Sequence, residues 1–367
     1  MNCNGCVDSF ELKLGKNRLN RKAVFDALWK CIRQLGSSQY PDLTHRNESL
    51  MQTKTMAFYP FGITEFKIKD YRHGLNAGSM LLLRCRPAIV LYPEDPYALS
   101  GPTDYKRYET IFNEFIAMFN HYLTDSPLPT LDGWEVNRID FAFQYQTPYY
   151  RETMALLQKS GRTEILRAVN NKQQPQYKDS IYIVKNKLTV NFYDKTIERK
   201  MESDEHVLRF EVQCKADFLY NMRYKSRITT LSLSELWDQN LAYSIIKKQL
   251  NKLVSDGDFV SITEAVKIIK HARRISEPDM DFVIKLLNFS LTPSIDRTLW
   301  WDYIGLLAMA IPTNPDKLKS HVKRIMKRLN INEIAVPQEW GLDRVSNPCN
   351  IICEAYGKTN DSVDASE

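Results

Sequence analysis

Apolar and polar positions change period along the chain, and the changes divide it. From Met56 to Val90, in AFYPFGITEFKIKDY and SMLLLRCRPAIVLY, short apolar alternations broken by turn-forming residues predict strands joined by a loop around Gly74 to Gly78. From about Tyr105 to Leu123 the period lengthens. Ile111, Phe115, Met118, Phe119 and Tyr122 recur at helical spacing, and the run SPLPTLDG ends the helix. Period-two alternation returns in VNRIDFAFQY, KLTVNFYDK and HVLRFEVQCK, with a helix expected from Arg151 to Val169 between the first two. These elements predict an α+β fold whose N-terminal domain, residues 1–228, is built on a largely antiparallel sheet.

Beyond Leu231 the pattern becomes helix after helix. Two capping-box signatures, Ser232-x-x-Glu235 and Ser261-x-x-Glu264, mark helix starts. We therefore expect a C-terminal helical domain over residues 229–345 and a polar, partly disordered tail over 346–367. One expected helix, Lys317 to Leu329, carries Lys317, Lys319, Lys323, Arg324, Lys327 and Arg328 with no acid among them. Such a face suits a phosphate backbone, or is simply a solvated basic surface.

Composition narrows the class. The 367 residues are 43% hydrophobic and 26% charged, and no apolar run approaches the roughly 20 residues that span a bilayer. The N-terminus lacks the apolar core of a secretory signal, so a cytoplasmic protein with reduced cysteines is expected. Cys3 and Cys6, with Cys349 and Cys353, have spacings that could offer zinc ligands. Nothing in the sequence joins the two pairs, and the simpler reading is small apolar side chains. A net charge of +6 permits nucleic-acid binding without requiring it.

Alternation sorts the three later strands into faces. Ile139, Phe141 and Phe143 oppose Arg138, Asp140 and Gln144; Leu188, Val190 and Phe192 oppose Thr189, Asn191 and Tyr193; Leu208, Phe210 and Val212 oppose Arg209, Glu211, Gln213 and Lys215. If the strands are neighbours, Asp140, Tyr193 and Glu211 share a polar face, with Glu198 five residues beyond Tyr193. Carboxylates beside a tyrosine are the parts of a metal-assisted strand-transfer site, since hard oxygens hold Mg²⁺ or Mn²⁺ and a phenol can become the covalent carrier. A phenol of pKa about 10 is ionised only about one part in a thousand at neutral pH, so a nearby cation is needed to favour its anion, and Lys195, Arg209 and the metal are the candidates. Taken singly, each residue also has a structural reading: Arg-x-Asp as a surface ion pair, tyrosine as a strand residue at a solvent edge.

The ordered series NRIDFAFQY, VNFYDKTIERK and LRFEVQCKADFLYN resembles the three motifs of the plasmid rolling-circle replication initiators and the related conjugative relaxases of the replication-initiation-factor family. It is also similar to the filamentous-phage nicking endonucleases. The resemblance covers roughly Met80 to Tyr220. It implies that residues 1–228 are a nicking domain, with Tyr193 as nucleophile, Asp140, Glu198 and Glu211 as metal-site acids, and Lys195, Arg138 and Arg209 as phosphate or metal-site support. Lys215 joins Arg138 as a DNA-contact candidate, as do Lys323, Arg324, Lys327 and Arg328 of the basic helix. Gln144 and Gln213 depart from the plasmid pattern, and no glycine-serine-arginine run precedes Tyr193.

The implied reaction is a single-strand cut at an origin, leaving a 5′-phosphotyrosine and a free 3′-OH, followed by rejoining. The implied partner is DNA, duplex, hairpin or single-stranded; a host helicase and a second copy of the chain are further candidates. A conjugative relaxase with the same chemistry and a non-catalytic copy-control protein are the alternatives. Nucleases that hold metal through a His-hydrophobe-His motif are disfavoured, because His45, His73, His121, His206, His271 and His321 all stand alone. Tyr182, in SIYIVKNK, is the second candidate nucleophile.

Overall fold

A computed structural model describes residues 6–15, 21–36, 50–53, 56–71, 78–123, 127–159, 180–272, 275–292, 303 and 314–361. Eight strands form one sheet: β1 (Val7–Leu14), β2 (Leu50–Thr53), β3 (Ile63–Tyr71), β4 (Gly78–Cys85), β5 (Glu135–Thr147), β6 (Ser180–Val184), β7 (Leu188–Asp194) and β8 (His206–Lys215). Their order is β2-β3-β4-β1-β5-β8-β7-β6, and every pairing is antiparallel. The fold is α+β, with further helices after the sheet.

Alternation here separates an apolar face packed into the main core from a face of polar side chains, Asp140, Arg209 and Glu211 among them, that are buried as well. Phe10, Leu12, Ile139, Phe141, Phe192, Phe210 and Val212 are buried in the main core. Helix α1 (Arg21–Gln34) and helix α3 (Tyr105–Asn120) belong to it, following the short α2 (Ala88–Leu91). Tyr108 of α3 meets Phe10 edge-on with ring centroids 5.7 Å apart, and Phe119 stacks on Phe66 at 5.6 Å. The sheet's other face carries the polar set.

Three local expectations change, and a fourth holds as far as it can be followed. Met56–Phe61 is a 3₁₀ turn, and the apolar run after Cys85 leaves the sheet at Pro87 and becomes α2. Short apolar runs around proline do not distinguish strand from turn by period alone. The helix expected from Arg151 is α4 (Tyr150–Lys159); the rest of that expectation, and the loop from Gly74 to Ala77, lie outside the described residues. The tail expected over 346–367 is instead α12 (Pro348–Asp361), whose Ile351, Ile352 and Tyr356 enter the main core; 362–367 lie outside the described residues.

Between these, α5 (Lys195–Glu198) and α6 (Ala216–Tyr224) flank β8, and α7 (Leu233–Leu236) and α8 (Gln239–Leu253) follow. Ser232 caps α7 and Ser261 caps α9 (Ile262–His271), each accepting from the backbone N–H of its glutamate. The apolar core does not divide at residue 228. Leu236, Ile246 and Leu250 share the sheet's core, whereas Val260, Ile269, Val283, Leu287, Val322 and Met326 form a separate one. That second core gathers α9, α10 (Glu277–Ser290) and α11 (Pro315–Leu329), beside the short β9 (Phe259–Val260) and β10 (Arg344–Val345). Among the described residues, no helix is long and apolar enough to cross a membrane.

Candidate active site

The register of β7 on β8 sets the geometry. Asn191 pairs with Glu211 and Tyr193 with Arg209, so the side chains of Tyr193 and Glu211 are diagonal neighbours on one face. The Tyr193 hydroxyl donates to Glu211 Oε1 at 2.5 Å. At the end of the strand, Asp194 caps α5: its Oδ1 accepts from the backbone of Thr196 at 2.9 Å and Ile197 at 3.0 Å, and its Oδ2 contacts His206 Nδ1 at 2.5 Å. The cap turns Lys195 inward, where the side chain is 2% exposed. Its Nζ donates to the Tyr193 oxygen at 3.4 Å and pairs with Glu198 at 2.6 Å.

A β-bulge supplies a further acid. The pairing of β1 with β5 shifts between Val7 and Ser9, and the extra residue is Asp8. Asp8 Oδ1 receives Arg209 Nη1 at 2.7 Å and Arg86 Nη2 at 3.3 Å. Arg86 stands just after β4. These groups enclose a cavity of about 670 Å³, into which Tyr193, Glu211, Lys195, Glu198, Asp8 and Arg86 all open.

Burial and charge set the protonation of the site. Burial raises Glu211 to about 7, reinforced by the negative Asp8 and opposed by the Tyr193 hydrogen bond and Arg209. Tyr193 is pushed well above the usual phenol range, first by burial and then by Glu211. The resting phenol is therefore protonated, and the adjacent cations do not reverse that. Lys195 is lowered by burial and by Arg209 and Arg86, against the pull of Glu198. For Asp8, burial acts upward, but Arg86, Arg209 and Lys195 outweigh it and hold the carboxyl below its ordinary value.

Arg209 occupies a different place from the expected phosphate contact. It is fully buried, donating to Gln144 Oε1 at 2.9 Å from Nε and to the Tyr97 carbonyl at 2.6 Å, besides Asp8. Its role is to hold Asp8 and to set the field around Glu211, 4.0 Å away. Gln144 serves as the neutral acceptor for this guanidinium.

Asp140 and Arg138 satisfy one another. Arg138 donates from Nε at 2.7 Å and from Nη2 at 2.5 Å, and Ser9 adds a third bond at 2.6 Å. Asp140 pairs in register with Gln213, a rung away from Glu211, and is 2% exposed. It does not line the cavity. Among the described residues no three His, Cys, Asp or Glu converge as a metal-ligand set. The expected Mg²⁺ or Mn²⁺ shell of Asp140, Glu198 and Glu211 is not assembled: the first is taken up by Arg138, the second by Lys195, the third by Tyr193. Arg138 is likewise a partner of Asp140 before it is a DNA contact, and Lys215 Nζ donates to the Lys185 carbonyl at 3.1 Å.

The basic helix forms as expected in α11, where Lys323, Arg324, Lys327 and Arg328 are exposed and Val322, Ile325 and Met326 are buried. Tyr182 of β6 pairs with Asn191 and lines the same cavity as Tyr193. Sequence reasoning missed Asp8 and Arg86. A bulge and a turn carry no periodic signal, so their side-chain directions were not legible.

No protein-family model matches the chain, and no curated protein matches it. Among solved structures it is similar to a rolling circle replication initiator protein from Geobacillus stearothermophilus, with a TM-score of 0.35 and 12% identity. That match covers 69% of this chain and 86% of the other. A likeness of this size carries no functional weight, and the site geometry stands without it.

Proposed function

We propose that this chain is a DNA strand transferase of the replication-initiator kind, cutting one strand through Tyr193 and holding the cut end covalently. The observation that carries the reading is the Tyr193–Glu211 hydrogen bond of 2.5 Å inside a cavity that also presents Lys195 and Arg86. A nucleophile within hydrogen-bond reach of a base is the arrangement that nucleophilic catalysis requires. A carboxyl raised to about 7 is a stronger base than an ordinary one and is ionised in part at neutral pH.

The bond changes balance with this chain's own groups. Tyr193 oxygen attacks phosphorus while its proton passes to Glu211. The bond from phosphorus to the 3′-oxygen breaks, leaving a 5′-phosphotyrosine. Lys195, its ammonium form weakened by burial, supplies the proton that the 3′-oxygen needs to leave as a hydroxyl. Arg86, 25% exposed at its side chain, faces the cavity to receive the non-bridging phosphate oxygens. Reversal returns each proton and reseals the strand. The free 3′-OH is what a polymerase would extend, which gives a replication initiator its use for such a cut.

The test is incubation of the wild-type chain and Tyr193→Phe with supercoiled DNA carrying the element's own origin, in Mn²⁺, Mg²⁺ or EDTA, followed by denaturing gels. A covalent adduct formed by the wild type and absent from the variant is expected. An adduct that persists in Tyr193→Phe would transfer the role to Tyr182. DNA binding without any adduct would favour a copy-control protein, and the EDTA lane reads metal dependence directly.

A further inference from the structure

The cavity beside Tyr193 has two unlike ends. At the charged end nearly every donor and acceptor is already used: Asp8 by Arg209 and Arg86, Lys195 by Glu198 and Tyr193. At the other end, Ser180 and Tyr182 of β6 and Asn191 of β7 line the wall. Among the described residues, the side chains of these three have no hydrogen-bond partner. Ile197, 41% exposed within α5, adds an apolar surface to the same cavity.

The geometry points to a nucleobase subsite formed by Tyr182, Asn191 and Ile197, which takes an unstacked base of the nucleotide adjoining the phosphate that Tyr193 attacks. This inference rests on the strand-transfer reading and deepens it by assigning residues to base contact. Tyr182 and Asn191 are directly paired across β6 and β7, and Tyr193 pairs with Ser180 on the adjoining rung of the same face. A base on this wall therefore lies one rung from the nucleophile, about the spacing between a nucleotide's base and its phosphate. A partly buried aromatic ring supplies a stacking surface, which any base can use. The amide of Asn191 offers both donors and an acceptor to a base edge, so it can discriminate where stacking cannot. The volume of about 670 Å³ leaves room for a base together with its phosphate. The charged end alone would account for the phosphate and would leave the unpaired wall without a ligand.

The experiment measures equilibrium binding, independently of cleavage, of the full chain to single-stranded octamers of dA, dT and dC and to an abasic octamer of the same backbone. The wild type is expected to hold at least one base-bearing octamer about 5- to 150-fold more tightly than the abasic one, the span set by stacking one base. Tyr182→Leu should bring that ratio towards one, Tyr182→Phe should keep it, and Asn191→Ala should narrow the differences among dA, dT and dC. Thermal melts establish that each variant is folded, and Asn191→Ala provides a second reading if Tyr182→Leu is not. Equal binding of abasic and base-bearing DNA by the wild type, a ratio that survives Tyr182→Leu, or no binding of any octamer overturns the subsite. The two readings fail separately. A base-dependent ratio without a Tyr193 adduct removes strand transfer and keeps the subsite; an adduct with a ratio of one does the reverse.

Discussion

Tyr193 and Glu211 lie on adjacent strands, one rung out of register, and the hydroxyl of the first donates to the carboxylate of the second at 2.5 Å. The pairing gives the phenol a proton acceptor before any substrate arrives. Glu211→Gln keeps the shape and removes the base, so the single-turnover rate of adduct formation should fall by about 10²- to 10⁴-fold, the usual worth of a positioned general base. Near-wild-type rates in Glu211→Gln would remove Glu211 from the reaction.

The rate should also report the titration of Glu211. With its carboxyl raised to about 7, the basic form grows as pH rises, so cleavage should increase through the range around 7 and level off above it. The stability effect runs the other way. A folded-state value above the unfolded one means that the native state binds the proton more tightly. That contribution is complete below the unfolded value of about 4.5 and is lost as pH rises through about 7. Glu211→Gln does not titrate, so its melting temperature should gain on the wild type between pH 5 and pH 8. A difference that is constant across that range, measured by calorimetry, would contradict the assignment.

How much of this was legible in the sequence follows from what alternation can and cannot encode. Period two placed Tyr193, Glu211 and Asp140 on one face, because successive side chains of a strand point to opposite sides. It could not say which rung each occupies. Register depends on long-range pairing, and that pairing put Asp140 beside Ser9 and Arg138 instead of beside Tyr193. Arg209 faced the right way but was read as phosphate or metal-site support, because the sequence does not show that Gln144, Asp8 and the Tyr97 carbonyl take up its guanidinium. The helical texture beyond residue 231 was clear. Its partition was not, since capping boxes mark where a helix begins and say nothing about which core it joins.

Asp8 is the residue on which the buried cationic side of the site depends. Arg209 is fully buried, and its nearest carboxylate is Asp8 at 2.7 Å. Removing one partner from a buried ion pair leaves an uncompensated charge and costs about 3–5 kcal/mol. Asp8→Ala should therefore lose about that much in urea unfolding at neutral pH, far more than a surface acid. Because the cations hold Asp8 below its ordinary value, its contribution is present at neutral pH and disappears only as the solution becomes strongly acidic. The gap between wild type and Asp8→Ala should thus narrow at acid pH. A loss below about 1 kcal/mol, typical of an exposed pair, would mean that the cluster opens to water.

The outward face of α11 offers a prediction that does not involve cleavage. Its apolar side, Val322, Ile325 and Met326, is committed to the second core, which fixes the helix so that Lys323, Arg324, Lys327 and Arg328 face outward together. Lys327 has an acid near it, Asp256 at 3.8 Å, but both side chains are more than half exposed and the pair is open to competition from phosphate. If the four side chains meet a DNA backbone, each neutralised phosphate releases counterions, and the slope of log affinity against log salt steepens by about 0.9 per contact. Replacing all four by glutamine should then make the slope shallower by about 3 to 4 for duplex DNA. The loss should be similar for origin and non-origin sequences, because phosphate contacts position a protein without reading bases. A slope unchanged by the quadruple replacement would show that α11 presents its charge to solvent, and the duplex would have to be held by the sheet's polar face instead.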